Sequence, residues 1–144
     1  MEPVGELNYQ GEGWGLCSGP SVLVMSNGTG TLRFLDLNFH VLRRMRVTVN
    51  RFPTRRLNDL EWVGDCIYAN VLFRSEILEI SSKHGCVTRI IDCSRLAAMA
   101  APNDVEHTLN GIAYNPDQGT FFVTGKCWNL MFEVDLWPNR HSVI

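Results

Sequence analysis

The constraint that most narrows the fold is a phrase the chain writes more than once. Leu57-Asn58-Asp59-Leu60-Glu61-Trp62, followed by Cys66-Ile67-Tyr68-Ala69-Asn70-Val71, returns as Leu109-Asn110-Gly111-Ile112-Ala113-Tyr114, followed by Thr120-Phe121-Phe122-Val123-Thr124-Gly125-Lys126. A looser copy, Gly11-Glu12-Gly13-Trp14-Gly15-Leu16 with Ser21-Val22-Leu23-Val24-Met25-Ser26, stands ahead of both. A repeated supersecondary unit buries its apolar surface by stacking against its neighbours, so the repeat governs the architecture. The intervals are 46 residues from Gly11 to Leu57 and 52 from Leu57 to Leu109. Four short strands in roughly 40 to 50 residues make a β-propeller blade. A β-sandwich also gives short strands with Gly-rich turns; near-identical openings at blade spacing favour the propeller.

Within each unit the side chains alternate apolar and polar, the period of a half-buried strand. The alternation predicts strands over Trp14–Cys17, Val22–Ser26, Thr31–Asp36, Arg43–Val49, Asn58–Val63, Cys66–Val71, Glu76–Ser81, Val87–Asp92, Gly111–Asn115, Phe121–Thr124 and Leu130–Val134. Ser18-Gly19-Pro20, Asn27-Gly28, Gly64-Asp65, His84-Gly85 and Asn115-Pro116 supply the turn chemistry between them. One helix is predicted over Arg95–Ala101, rich in Ala, Leu and Met, capped by Asp92 or Ser94 and stopped by Pro102.

Propellers close with about four to eight blades, whereas this chain carries two full units and a third that runs out near Asp135. Residues 1–144 therefore read as a single partial β-propeller domain. Its open blade edges predict a need for further blades or for self-association.

A formal charge of −2, from 13 basic and 15 acidic residues, sets up no field that would gather nucleic acid or an anionic membrane. Arg43, Arg44, Arg46, Arg51, Arg55 and Arg56 cluster, but no aromatic pattern interleaves them as single-strand binding needs, so they read as a solvated face. The residues after Met1 have neither a basic nor an apolar signal region, which predicts retention where the chain is made, or secretion if a leader precedes it. Five cysteines form no Cys-X-X-Cys pair and read as buried free thiols. The four histidines have no metal-ligand spacing, so neither metal nor cofactor is expected.

Taken in order, Gly11–Leu16, Met25–Gly28, Leu32–Asp36, Leu57–Trp62, Ile67–Val71, Leu109–Tyr114 and Val123–Lys126 resemble the plant and bacterial type of glutaminyl cyclase, or glutamine cyclotransferase. The resemblance implies a five-bladed propeller, of which this chain matches the later blades. It also implies conversion of a peptide's N-terminal glutamine to pyroglutamate with release of ammonia, without a metal. Carried over residue by residue, Trp14 matches a pocket tryptophan, Asn58 a substrate-binding asparagine and Lys126 a lysine of the site.

Two positions depart from the pattern: Leu72 stands where the family has a tryptophan, and Asp59 where it has glutamate. The family's catalytic glutamate falls in the earlier blades. Glu61 is a weak candidate to replace it and reads better as a paired structural carboxylate, and Glu12 is not promoted to the role; a buried acid persists mostly where it has partners. The resemblance thus implies a cyclotransferase whose activity in these 144 residues is weak or absent. The alternative is a non-catalytic propeller remnant that binds peptide termini or a protein partner.

Overall fold

The computed structural model describes residues 1–100 and 107–137. The chain is built of antiparallel sheets with one short helix. Strands β1 (Leu16–Gly19), β2 (Val22–Met25), β3 (Thr31–Leu35) and β4 (Val41–Arg46) form the first blade in simple meander order. A two-stranded ribbon, β5 (Thr48–Val49) and β6 (Phe52–Pro53), leads to the second blade, β7 (Leu57–Val63), β8 (Cys66–Val71), β9 (Glu76–Ser81) and β10 (Val87–Asp92). After α1 (Ser94–Ala100) the third blade contributes β11 (Leu109–Asn115), β12 (Thr120–Gly125) and β13 (Phe132–Val134). The first strands of the blades, β1, β7 and β11, lie side by side. This is the propeller arrangement the repeat predicts, in partial form.

Two apolar layers cement the stack. Cys17, Val24, Phe34 and Met45 of the first blade meet Leu57, Leu60, Ile67 and Ile80 of the second. Tyr68 and Ile77 of the second meet Ile112, Phe121 and Val123 of the third, with Trp137 closing a ring cluster over Tyr68, Tyr114 and Phe121. Because side chains alternate across a strand, one set of each blade faces the blade before it and the other set the blade after.

Strand register corrects the repeat. Leu16 pairs with Met25, Leu60 with Ala69 and Ile112 with Val123, so these three first-strand residues are equivalent. The first interval, Leu16 to Leu60, is therefore 44 residues, two shorter than the sequence alignment from Gly11, and Trp14 becomes the counterpart of Asn58 and Asn110. In both Leu-Asn copies the pair sits at a bulge, between Leu57 and Leu60 and between Leu109 and Ile112. The extra residue throws backbone groups out of the ladder towards the preceding blade.

Those groups are caught by a recurring latch. Ser26 donates its hydroxyl to the Asn58 carbonyl at 2.6 Å, and Asn70, the equivalent residue one blade on, donates its amide to the Leu109 carbonyl at 2.7 Å. Both donors are fully buried. The third equivalent, Thr124, bonds to Leu130 O of its own blade at 3.0 Å. Asp59 adds a second tie by accepting the Ile112 amide at 2.9 Å.

The first blade's other face is covered by the N-terminal segment. Gln10 O accepts from Arg33 at 2.7 Å and the Tyr9 ring lies 6.2 Å from Phe39, so Met25 and Leu35 are buried although, among the described residues, no blade packs on that side.

Several predicted boundaries moved. The strand expected over Arg43–Val49 breaks after Arg46, because Val47 turns to pair with Gly30 O and Thr54. The ribbon that follows turns on Asn50 and Arg51, both at positive φ (49° and 72°), with no glycine to announce it. The last strand is Phe132–Val134 rather than Leu130–Val134. The helix begins at Ser94, whose amide bonds to the Asp92 carboxylate at 2.8 Å; Ala101 and Pro102 lie outside the described residues. The thiols are only partly buried: Cys17 and Cys93 are, but Cys86 and Cys127 are exposed.

Candidate functional site

Register places the three carried-over residues at one end of the blades. Trp14, Asn58 and Asn110 occupy the same position at the start of the first strands. Gly28, Leu72 and Lys126 occupy the same position just past the second strands, since Leu72 N bonds to Arg56 O at 2.9 Å as Lys126 N bonds to Thr108 O at 2.8 Å. Trp14, Asn58 and Lys126 thus come from successive blades at the same end of the stack.

Each is held differently. Trp14 is partly exposed, 38%, and its indole N–H donates to Glu12 at 2.8 Å. Its six-membered ring covers Gly28, which sits at φ +75°; a side chain there would be strained and would collide with the ring. Gly15 lies so close to Asn58 O that a Cβ could not fit, which seats the Trp14 segment directly on the second blade. Asn58 is buried at 7%, its backbone fixed by the Ser26 latch. Lys126 is exposed at the loop beyond β12. A cavity of about 660 Å³ opens beside Trp14, walled by Leu7, Tyr9, Leu16, Met25 and Phe39.

The acids have other duties. Glu12 holds the Trp14 indole. Asp59 accepts the Ile112 amide, so the shorter carboxylate is a tie between blades. Glu61 lies further along β7; burial and the Asp59 charge push its carboxyl up, only partly offset by the Tyr114 backbone amide. The same two carboxylates, after burial itself, drive the Cys17 thiol up to about 12, so it stays a protonated core thiol. Glu79 works as a hub: burial would raise it, but bonds from Thr88, Tyr68 and Arg89 outweigh burial and hold it below the usual carboxylate range. Among the described residues no group of three or more His, Cys, Asp or Glu side chains is placed to hold a metal ion. No described helix is long and apolar enough to cross a membrane.

Sequence reasoning passed over two residues at this end. Arg56 donates its amide to Gly28 O at 2.8 Å and accepts from Leu72 N, which puts it between the first and second blades beside Trp14. Trp128 covers Gly125 as Trp14 covers Gly28, with its indole N–H on His107 O at 3.1 Å. The signal for Trp128 was present in the glycine ahead of it; Arg56 stood out only as one of the clustered arginines, because only the register brings it to this end.

Comparison with known proteins agrees with this geometry. The glutamine cyclotransferase family profile matches residues 1–136. A glutaminyl-peptide cyclotransferase of Arabidopsis thaliana is 33% identical over 132 residues, covering 90% of this chain and 41% of that protein. The crystal structure of Myxococcus xanthus glutaminyl cyclase superposes with a TM-score of 0.86 at 39% identity, over 90% of this chain and 57% of that one. A streptogramin B lyase structure, at 15% identity and a TM-score of 0.52, shares the fold alone. The chain spans about two-fifths of the plant protein and a little over half of the bacterial one. With nearly its whole length matched, this chain belongs to the glutamine cyclotransferase family.

Proposed function

We propose that the Trp14–Asn58–Lys126 end of the blades binds the N-terminal glutamine of peptides, as part of a glutaminyl-peptide cyclotransferase. The observation that carries the reading is the register equivalence that sets these three residues at one end of successive blades in a member of this family.

In this reaction the substrate's α-amine attacks its own γ-carboxamide carbon. The new C–N bond closes a five-membered lactam, and the old C–N bond breaks to release ammonia, which takes up the proton the amine gives off. Both reacting groups belong to one residue, so holding the side chain curled supplies much of the rate. Trp14 offers an apolar wall for the curled chain, and the Asn58 amide and Lys126 ammonium are donors suited to the developing oxyanion. Proton shuttling calls for a carboxylate. Glu12 and Asp59 are engaged as acceptors, which favours binding with weak or no turnover by these residues alone.

Ammonia release from a Gln-initiated dipeptide, alongside peptide-induced quenching of tryptophan fluorescence, tests both halves. Binding of Gln-initiated over Ala-initiated peptides, abolished in Lys126→Ala, is expected. Equal binding of the two would refute the site. Robust turnover lost in Lys126→Ala would refute the non-catalytic alternative.

A further inference from the structure

The arginine cluster does not stay together in the fold. Arg43 lies over the Phe34 ring at 3.7 Å and donates to Ser82 O at 2.7 Å, where it serves the core. Arg55 and Arg56 are instead joined by Arg74 from the second blade, around a hollow of about 640 Å³ between the β5–β6 ribbon and β8–β10. A second hollow of about 440 Å³ continues from Arg55 to Arg46 and Gly28. Four arginines therefore line the two hollows against one acidic residue, Glu76, whose carboxylate is 3.3 Å from Arg74. That leaves a local excess of three positive charges in a chain whose net charge is −2.

The backbone carrying these charges is fixed. Thr54 N bonds to Val47 O, and Arg56 is clamped at φ +62° between Gly28 O and Leu72 N. The Arg56 side chain is exposed and its guanidinium stands 5.6 Å from the Phe73 ring. Among the described residues neither Arg55 nor Arg56 is ion-paired. The hollow also adjoins the candidate site: Arg56 touches by backbone the two residues, Gly28 and Leu72, that correspond to Lys126.

We propose that the Arg55–Arg56–Arg74 hollow binds carboxylates of an acidic peptide segment, selecting peptides whose acidic residues follow the N-terminal one. Its placement on the substrate rests on the function proposed above; the hollow's affinity for carboxylates does not. Guanidinium forks match carboxylates bidentately, and several partly exposed pairs together are worth about tenfold in binding.

The experiment compares four C-terminally amidated labelled peptides by anisotropy: Gln-Gly-Gly-Asp-Glu, Gln-Gly-Gly-Asn-Gln, and the same two beginning with Ala. About tenfold tighter binding of both acidic peptides is expected, shrinking towards parity at 0.5 M salt. It should be lost in Arg55→Gln/Arg74→Gln, a pair of exposed residues, with the circular dichroism unchanged. Acidic and amide peptides binding alike, or a preference that survives the double substitution, would overturn the proposal. Tighter binding of inorganic phosphate than of the acidic peptide would overturn it in favour of a phosphorylated ligand. Failure of the glutamine reading appears separately, as indifference between Gln and Ala at the first position.

Discussion

Replacing Ser26 by alanine removes one oxygen from a site that has no solvent access. The Asn58 carbonyl it serves lies in the bulge of β7, where the ladder offers no partner, so the substitution leaves a buried acceptor unpaired. That costs about 1–3 kcal/mol. Asn70→Ala removes the bond from the equivalent donor, to Leu109 O one residue earlier in its bulge, and a larger volume, and should cost about 2–3 kcal/mol. Thr124→Ala is the internal control: its bond, to Leu130 O in its own blade, is solvent-exposed, and its loss should cost about 0.5 kcal/mol. For a chain of this size each kcal/mol moves Tm by roughly 3–5 °C. Urea unfolding followed by both tryptophan fluorescence and far-UV circular dichroism measures the series and tests whether the blades unfold together. A Ser26→Ala protein within 0.5 kcal/mol of the parent, or a Thr124→Ala protein less stable than either partner, would refute the latch. Because the latch fixes the Asn58 backbone, Ser26→Ala should also weaken binding of a Gln-initiated peptide.

Gly28→Val forces a side chain into positive φ and into the Trp14 ring; the tryptophan emission should shift red and peptide quenching should fall, with the far-UV spectrum retained. Glu61 and Glu79 should bend stability against pH in opposite directions. The raised Glu61 carboxyl favours the folded state below its unfolded value near 4.5 and loses that advantage as pH rises through the folded value, so Glu61→Gln gains stability relative to the parent as pH rises above the unfolded value. The lowered Glu79 carboxyl contributes above the unfolded value and fails as pH falls through the folded one, so Glu79→Gln flattens the acid limb of a chemical-denaturation series. A thiol reagent at pH 8 should label Cys86 and Cys127 quickly and spare Cys17 and Cys93, held up to about 12 and about 11 chiefly by burial, until urea is added.

How far the sequence could be read follows from which interactions are local. Strands such as Cys66–Val71 and Glu76–Ser81 announce themselves because period-2 alternation and the Gly64-Asp65 turn are properties of neighbouring residues. The β5–β6 ribbon was illegible because its turn places Asn50 and Arg51 in a conformation usually reserved for glycine, held by Val47–Thr54 and Thr48–Cys86 contacts remote from the turn itself. The site divides the same way. Trp14, Asn58 and Lys126 are candidates that motifs alone can nominate, whereas the shared end of the blades on which the register sets them is not legible in the motifs. The two-residue error in the first interval hid the fact that tryptophan and asparagine share one position, and only the cross-strand pairs Leu16–Met25 and Leu60–Ala69 reveal it.

That equivalence also explains how one scaffold position can change its chemistry without changing the fold. What blade stacking demands lies next door: the bare Cα of Gly15 against Asn58 O, the Asp59 carboxylate on the Ile112 amide, and the hydroxyl or amide of Ser26 and Asn70. With stacking met by those neighbours, the positions of Trp14, Asn58 and Asn110, and of Gly28, Leu72 and Lys126, are released from identical packing duties. An aromatic wall, an amide and a cation can then occupy the same end of successive blades, and Leu72 can stand there without disturbing the backbone that carries it.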